Sequence, residues 1–151
     1  MIDNKWFCEP DELREIWCFL NLHVNDKDII EGWEIGYGNP IVMMRKINHR
    51  KTNEKDIIKE LLIQLYNCRK ENILLITYTN NVLPILRTRI LFLDIKEASL
   101  YGIKHISVEE ILYTYFLYDA NQELIDKNKK ITFLWKLLLR IGPLLPRGVI
   151  Q

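Results

Sequence analysis

The chain has 151 residues, 48% of them hydrophobic, and its 21 lysines and arginines against 20 aspartates and glutamates leave a formal net charge of +1. That is the size of one domain, spanning 1–151, with enough apolar side chain for a core that needs no disulfide or metal staple. The apolar runs, such as Phe133 to Leu139 with Lys136 inside it, fall far short of the roughly 20 residues that cross a bilayer, so no membrane role is expected.

The opening Met1-Ile2-Asp3 is unlike a signal peptide, and a cytoplasmic location is expected. Cys8, Cys18 and Cys68 are odd in number and lack C-x-x-C spacing, which argues against a disulfide framework and a zinc site and for reduced, part-buried thiols. From Ile16 to Val24 the residues Ile16, Cys18, Leu20, Leu22 and Val24 alternate with Trp17, Phe19, Asn21 and His23. This is the period of a strand and would set Asn21 and His23 on one face. Leu13, Ile16, Trp17 and Leu20 also fit a helical stripe starting near Pro10, so both readings stay open. Trp33 to Tyr37 and Ile41 to Arg45 are short β-prone runs separated by Gly38-Asn39-Pro40, a hairpin pattern.

The segment from Asn53 to Arg69 predicts a helix, with Ile57, Ile58, Leu61, Leu62, Leu65, Tyr66 and Cys68 on its apolar face, acids early and Arg69 and Lys70 late. Ile73 to Tyr78 is a continuous apolar, β-branched run of the kind buried on both faces of a sheet. A short helix is expected over Val82 to Arg89 and a strand over Leu91 to Ile95. Ser107-Val108-Glu109-Glu110 is a capping box that opens a helix with Val108, Ile111, Leu112 and Tyr115 on one side. A last helix near Ile131 to Ile141 stops at Gly142-Pro143. Strands early and helices late predict an α/β domain, one mixed sheet with flanking helices.

Charge is uneven along this pattern. Lys127, Lys129, Lys130, Lys136, Arg140 and Arg147 occupy a tail with no acidic residue, and Arg45, Lys46, His49, Arg50 and Lys51 cluster in a short linker. Such clusters meet phosphate or an acidic protein surface, and otherwise remain solvated faces. His49 and His105 are expected in exposed loops.

The run Ile73-Leu74-Leu75-Ile76-Thr77-Tyr78-Thr79-Asn80-Asn81-Val82-Leu83-Pro84-Ile85-Leu86-Arg87-Thr88-Arg89 resembles the second motif region of DEDD-type 3′–5′ exonucleases, in particular the exonuclease domains of family B DNA polymerases. There a buried strand ends in Tyr-Asn, and a Phe-Asp pair precedes Pro-x-Leu and an Arg. The flanking order is similar too, from a first strand and hairpin through a helix opened by Glu and Lys to Phe92-Leu93-Asp94-Ile95 and Ile106-Ser107-Val108-Glu109-Glu110. The resemblance spans Ile16 to Tyr118 and implies a ribonuclease H-like fold.

It also implies a damaged active site, because two-metal phosphodiester cleavage needs clustered carboxylates. The family's Asp-x-Glu falls on Asn21-Leu22-His23, and its Phe-Asp pair falls on Asn81 and Val82, so three acids are replaced at Asn21, His23 and Val82. The third motif is a Tyr followed four residues later by an Asp, a spacing met by Tyr115 and Asp119. Asp119 is therefore the one candidate survivor. No metal and no cofactor is expected.

The resemblance implies a catalytically inactive, nucleic-acid-binding or scaffolding component of a DNA replication or repair assembly, with DNA or RNA met by Arg45, Lys46, Arg50, Lys51, Lys129 and Lys130. Two other functions stay open. One is a protein-interaction subunit, pairing with a partner or a second copy through the apolar segment Phe133-Leu134-Trp135 and Leu137-Leu138-Leu139. The other is a metal-dependent nuclease with an unorthodox site that recruits Asp28, Glu31, Glu34 and Asp94.

Overall fold

A computed structural model of the chain describes residues 17–38, 41–45, 53–96, 98–117 and 131–150, with backbone alone at 38, 41–45 and 132. The strand reading of the first segment is correct: β1 (Trp17–Val24) is followed by β2 (Ile30–Gly38) and β3 (Ile41–Arg45), then α1 (Glu54–Lys70) and β4 (Leu74–Thr77). After these come α2 (Val82–Phe92), β5 (His105–Ser107), α3 (Val108–Tyr115) and α4 (Ile131–Ile141), which ends in a 3-10 turn over Gly142–Leu144. The strands make one five-stranded sheet in the order β3-β2-β1-β4-β5. β1 pairs antiparallel with β2 and β2 antiparallel with β3, while β1 with β4 and β4 with β5 are parallel, so β2 alone runs against the rest.

Strand alternation distributes the core over the two faces of this sheet. Cys18, Leu20, Trp33, Ile35 and Leu75 point to one face and pack against Ile57, Ile58, Leu61 and Leu65 of α1 and Leu83 and Leu86 of α2. Phe19 and Ile76 point to the other, against Val108, Ile111 and Leu112 of α3 and Leu134, Leu137, Leu138 and Ile141 of α4. The apolar stripe of α4 is thus consumed by the domain's own sheet. Tyr66 and Tyr115, read as parts of apolar faces, are instead exposed, at 53% and 44%. Among the described residues no helix is long and apolar enough to cross a membrane.

The helix ends explain the largest departure from the sequence reading, which concerns Leu91 to Ile95. These residues form no strand. α2 continues through Phe92 and closes with Asp94 in the left-handed region (φ 56), where Asp94 N–H donates to Leu91 O (3.2 Å) and Ile95 N–H to Ile90 O (3.1 Å). This paired closure satisfies the last helical carbonyls. α1 ends the same way at Asn72 (φ 56), with Ile73 N–H on Cys68 O at 2.8 Å. The place beside β4 is taken by β5, only three residues long and too short to stand out in the sequence.

Cys18 and Cys68 are buried, free thiols packed in the first cluster, as the cysteine count implied. The hydrogen bond between them and the loss of solvent hold the Cys18 thiol well above its usual pKa. Tyr37, whose hydroxyl donates to Gln64 Oε1 (3.2 Å), is pushed upward by burial and by the same two thiols.

Candidate functional site

The chain order β1 to β2 leads to one side of the sheet and β4 to β5 to the other, so β1 and β4 flank a switch point. In open α/β sheets ligands gather at the carboxyl ends of the strands beside such a point. Two polar groups occupy this end.

The first lies on the sheet face that carries α3 and α4. Asn21 and His23 alternate with Leu20 and Leu22, which pack into the first cluster, and so they project from the same face as Phe19. The register sets Glu34 of β2 directly opposite Asn21, and His23 opposite Gly32. With glycine at 32 and 36, Glu34 is the one side chain that β2 offers to this face between those positions. His23 Nε2 meets Glu34 Oε1 at 3.0 Å, both side chains being largely covered at 32% and 19% exposure. A carboxylate only accepts, so His23 Nε2–H is the donor of this bond. The group can orient an imidazole and hydrogen-bond a ligand, but among the described residues it holds a single carboxylate.

The second group stitches the loop after β4 to the start of α3. Ser107 caps α3, accepting from Glu110 N–H at 3.0 Å, and its hydroxyl donates to Asn80 Oδ1. Glu109 Oε1 accepts from Asn80 N–H (3.1 Å) while Glu109 N–H donates to Tyr78 O (2.9 Å). Thr77, fully buried, donates to Thr79 O (3.0 Å), which leaves its oxygen to accept from His105 Nε2–H at 2.7 Å. His105 is therefore a half-buried strand residue rather than an exposed loop one.

Burial, with Arg87 adding to it, lowers the pKa of His105 below its ordinary value. The folded chain thus holds this ring neutral at pH values where the unfolded chain, with a His pKa of about 6.5, takes up a proton. Stability from His105 is intact above that pH and is lost as the pH falls below it, towards the lowered folded value. His105→Gln, which keeps a donor for Thr77, is expected to flatten this loss. Melting temperatures of the two proteins between pH 7.5 and pH 5 should diverge towards the acid end, and parallel curves would count against the assignment.

The other sequence candidates are scattered. Val82, the first residue of α2, is 7% exposed and packs into the first cluster beside Leu83 and Leu86, on the sheet face opposite to Asn21 and His23. Glu34 of β2 shares the face of Asn21 and His23, whereas Glu31 lies at the bulge that breaks the β1–β2 register. Asp28, in the left-handed region at φ 62, belongs to the β1–β2 turn and adds to the field that raises the Arg89 pKa. Asp94 is exposed at the end of α2, with Lys96 Nζ at 3.8 Å. These four acids do not converge, and among the described residues no group of three or more His, Cys, Asp or Glu side chains could hold a metal ion. Asp119, Lys46, His49, Arg50, Lys51, Lys129 and Lys130 lie outside the described residues, and Arg45 is placed by its backbone in β3.

The sequence reading missed two partnerships. His23 with Glu34 follows from a hairpin around Asn25-Asp26-Lys27-Asp28, where Asn25 Oδ1 accepts from Lys27 N–H (2.8 Å) and Ile29 N–H (3.1 Å). This side-chain turn was a legible signal. Glu54 with Arg89 was not: Arg89 Nε and Nη2 donate to Glu54 Oε2 and Oε1 at 2.8 and 2.5 Å, and Glu54 Oε2 also accepts from Ile30 N–H at 2.8 Å. Comparison with family models, curated proteins and solved structures returned no match.

Proposed function

We propose that this chain is a catalytically silent domain of the ribonuclease H-like, exonuclease type, serving as a nucleic-acid-binding or scaffolding component of a DNA replication or repair assembly. The observation that carries the reading is the sheet: an antiparallel β1-β2-β3 unit, then β4 and β5 added in parallel on the far side of β1, with helices on both faces. That is the connectivity the resemblance implies for strand, hairpin, helix and strand in this order.

The silent half of the reading is supported by the chemistry on β1. Asn21 and His23 occupy the positions matched to the family's paired acids, and Glu34 supplies one carboxylate to their face. Two divalent ions bridging the attacking and leaving oxygens need more negative charge than that. The clasp between Asn80, Ser107 and Glu109 turns the second-motif loop to structural use.

The expected result is binding without hydrolysis. Fluorescence anisotropy at low salt should detect labelled single-stranded DNA or RNA, with affinity that falls steeply as salt rises. Incubation of the same oligonucleotides with Mg²⁺ or Mn²⁺ should leave them intact. Metal-dependent cleavage that Asp119→Ala abolishes would replace this reading with the unorthodox nuclease, and absence of binding at low salt would remove the nucleic-acid role.

A further inference from the structure

A second feature lies on the sheet's α1 and α2 side, where the end of α2 and the loop leading to β5 enclose an open cavity of about 710 Å³, lined among others by Arg87, Leu91, Asp94, Lys96 and Tyr101. We propose that this cavity seats a segment of single-stranded nucleic acid, with the Tyr101 ring as the stacking surface for a base and Arg87 and Lys96 as contacts for the adjoining phosphates. The proposal rests on the nucleic-acid reading above and assigns it a place other than the basic linker and tail.

The exposure pattern is the first argument. Tyr101 and Leu91 are 88% and 82% exposed, although each borders a concave surface where folding alone would favour covering them. The second is that the loop holds Tyr101 in place by its backbone while leaving its ring in solvent. Tyr101 N–H donates to Ser99 Oγ (3.4 Å), Arg69 Nη1 donates to Tyr101 O (3.2 Å), and Gly102 follows at φ +79, a conformation that favours glycine. A backbone ordered before the ligand arrives lowers the entropy that binding must cost.

Charge is the third argument and favours the occupant. Among the described lining residues Arg87 and Lys96 outweigh Asp94, which lies 3.8 Å from Lys96 Nζ, and Arg69 stands behind the Tyr101 carbonyl. The neighbouring rings are already engaged, Tyr66 by Arg69 at 5.0 Å and Phe92 by Arg89 at 4.7 Å, whereas among the described residues nothing stacks on Tyr101. An exposed π face in a cavity that cations also line suits a base and its phosphates, and does so for any sequence, since every base has such a face.

The test is anisotropy of the full chain with a short labelled oligo(dT), over a series of salt concentrations. Tyr101→Ala is expected to weaken binding about tenfold, the loss of one base–ring stack, and Tyr101→Phe to retain it. Arg87→Ala with Lys96→Ala is expected to reduce the slope of log affinity against log salt by about 1.4, for two single-strand phosphates. Unchanged melting temperatures would tie these effects to binding. If the wild-type chain binds but these variants bind equally well, while Arg50→Ala with Lys51→Ala abolishes binding, the seat is elsewhere and the proposal fails with the general reading intact. If the wild-type chain binds no oligonucleotide at low salt, both fail.

Discussion

Trp33→Ala is expected to lower the unfolding free energy by about 4 kcal/mol, the upper range for aromatic truncations in a packed interior. Trp33 is fully buried in the centre of β2, against α1, and its Nε1–H donates to Ile57 O at 3.1 Å. Truncation leaves a cavity that neighbouring Ile35 and Ile58, on a strand and a helix held from both sides, can fill only in part. Loss of the hydrogen bond adds little, because Ile57 O keeps its place in the helical ladder as an acceptor. Urea denaturation followed by far-ultraviolet circular dichroism would measure the change, and Trp33→Phe should recover more than half of it. A loss under about 1.5 kcal/mol for Trp33→Ala, the size of a tolerated volume-conserving swap, would mean that the α1–sheet interface is looser than described.

The second large effect is expected at Glu54, whose carboxylate joins three elements. It accepts two bonds from Arg89 of α2 and one from the Ile30 N–H at the start of β2, and it sits in the first turn of α1, where the helix dipole favours an acid. The two side chains are only 11% and 14% exposed. Glu54→Ala is expected to cost about 3 kcal/mol, because it leaves a guanidinium and an amide poorly solvated and unpaired. Arg89→Ala should cost about 2 kcal/mol, and the double variant about as much as Glu54→Ala alone, so that a double-mutant cycle returns a coupling near 2 kcal/mol. Additive losses would show that the pair is solvated and contributes little, as exposed ion pairs do.

Much of the fold was legible in local pattern. Alternation from Cys18 to His23, the capped helix from Asn53, the buried run before Tyr78 and the capping box at Ser107 each depend on neighbours in sequence. Where local signal misled, a tertiary competitor decided. Leu91 to Ile95 has strand composition, but continuing α2 adds one backbone hydrogen bond per residue, and the turn at Asp94 closes the helix before a strand can begin. His105 looked like a loop residue because β5 is three residues long, and only pairing with β4 makes it a strand.

The candidate site divides along the same line. That Asn21 and His23 share a face is a consequence of the two-residue period of a strand, and was determined by sequence once the segment was extended. That Glu34 stands opposite Asn21 and reaches His23 depends on the β1–β2 register, and that Val82 faces the other way depends on how α2 packs. The sequence by itself therefore determined most of the elements, though not the extent of α2 or the existence of β5, and the poverty of acids at the positions its resemblance singles out. Only the tertiary structure decided which of the remaining charges meet: His23 with Glu34, and Glu54 with Arg89 across 35 positions. Periodicity is set by backbone geometry within a few residues, whereas partnership is set by where distant segments cross.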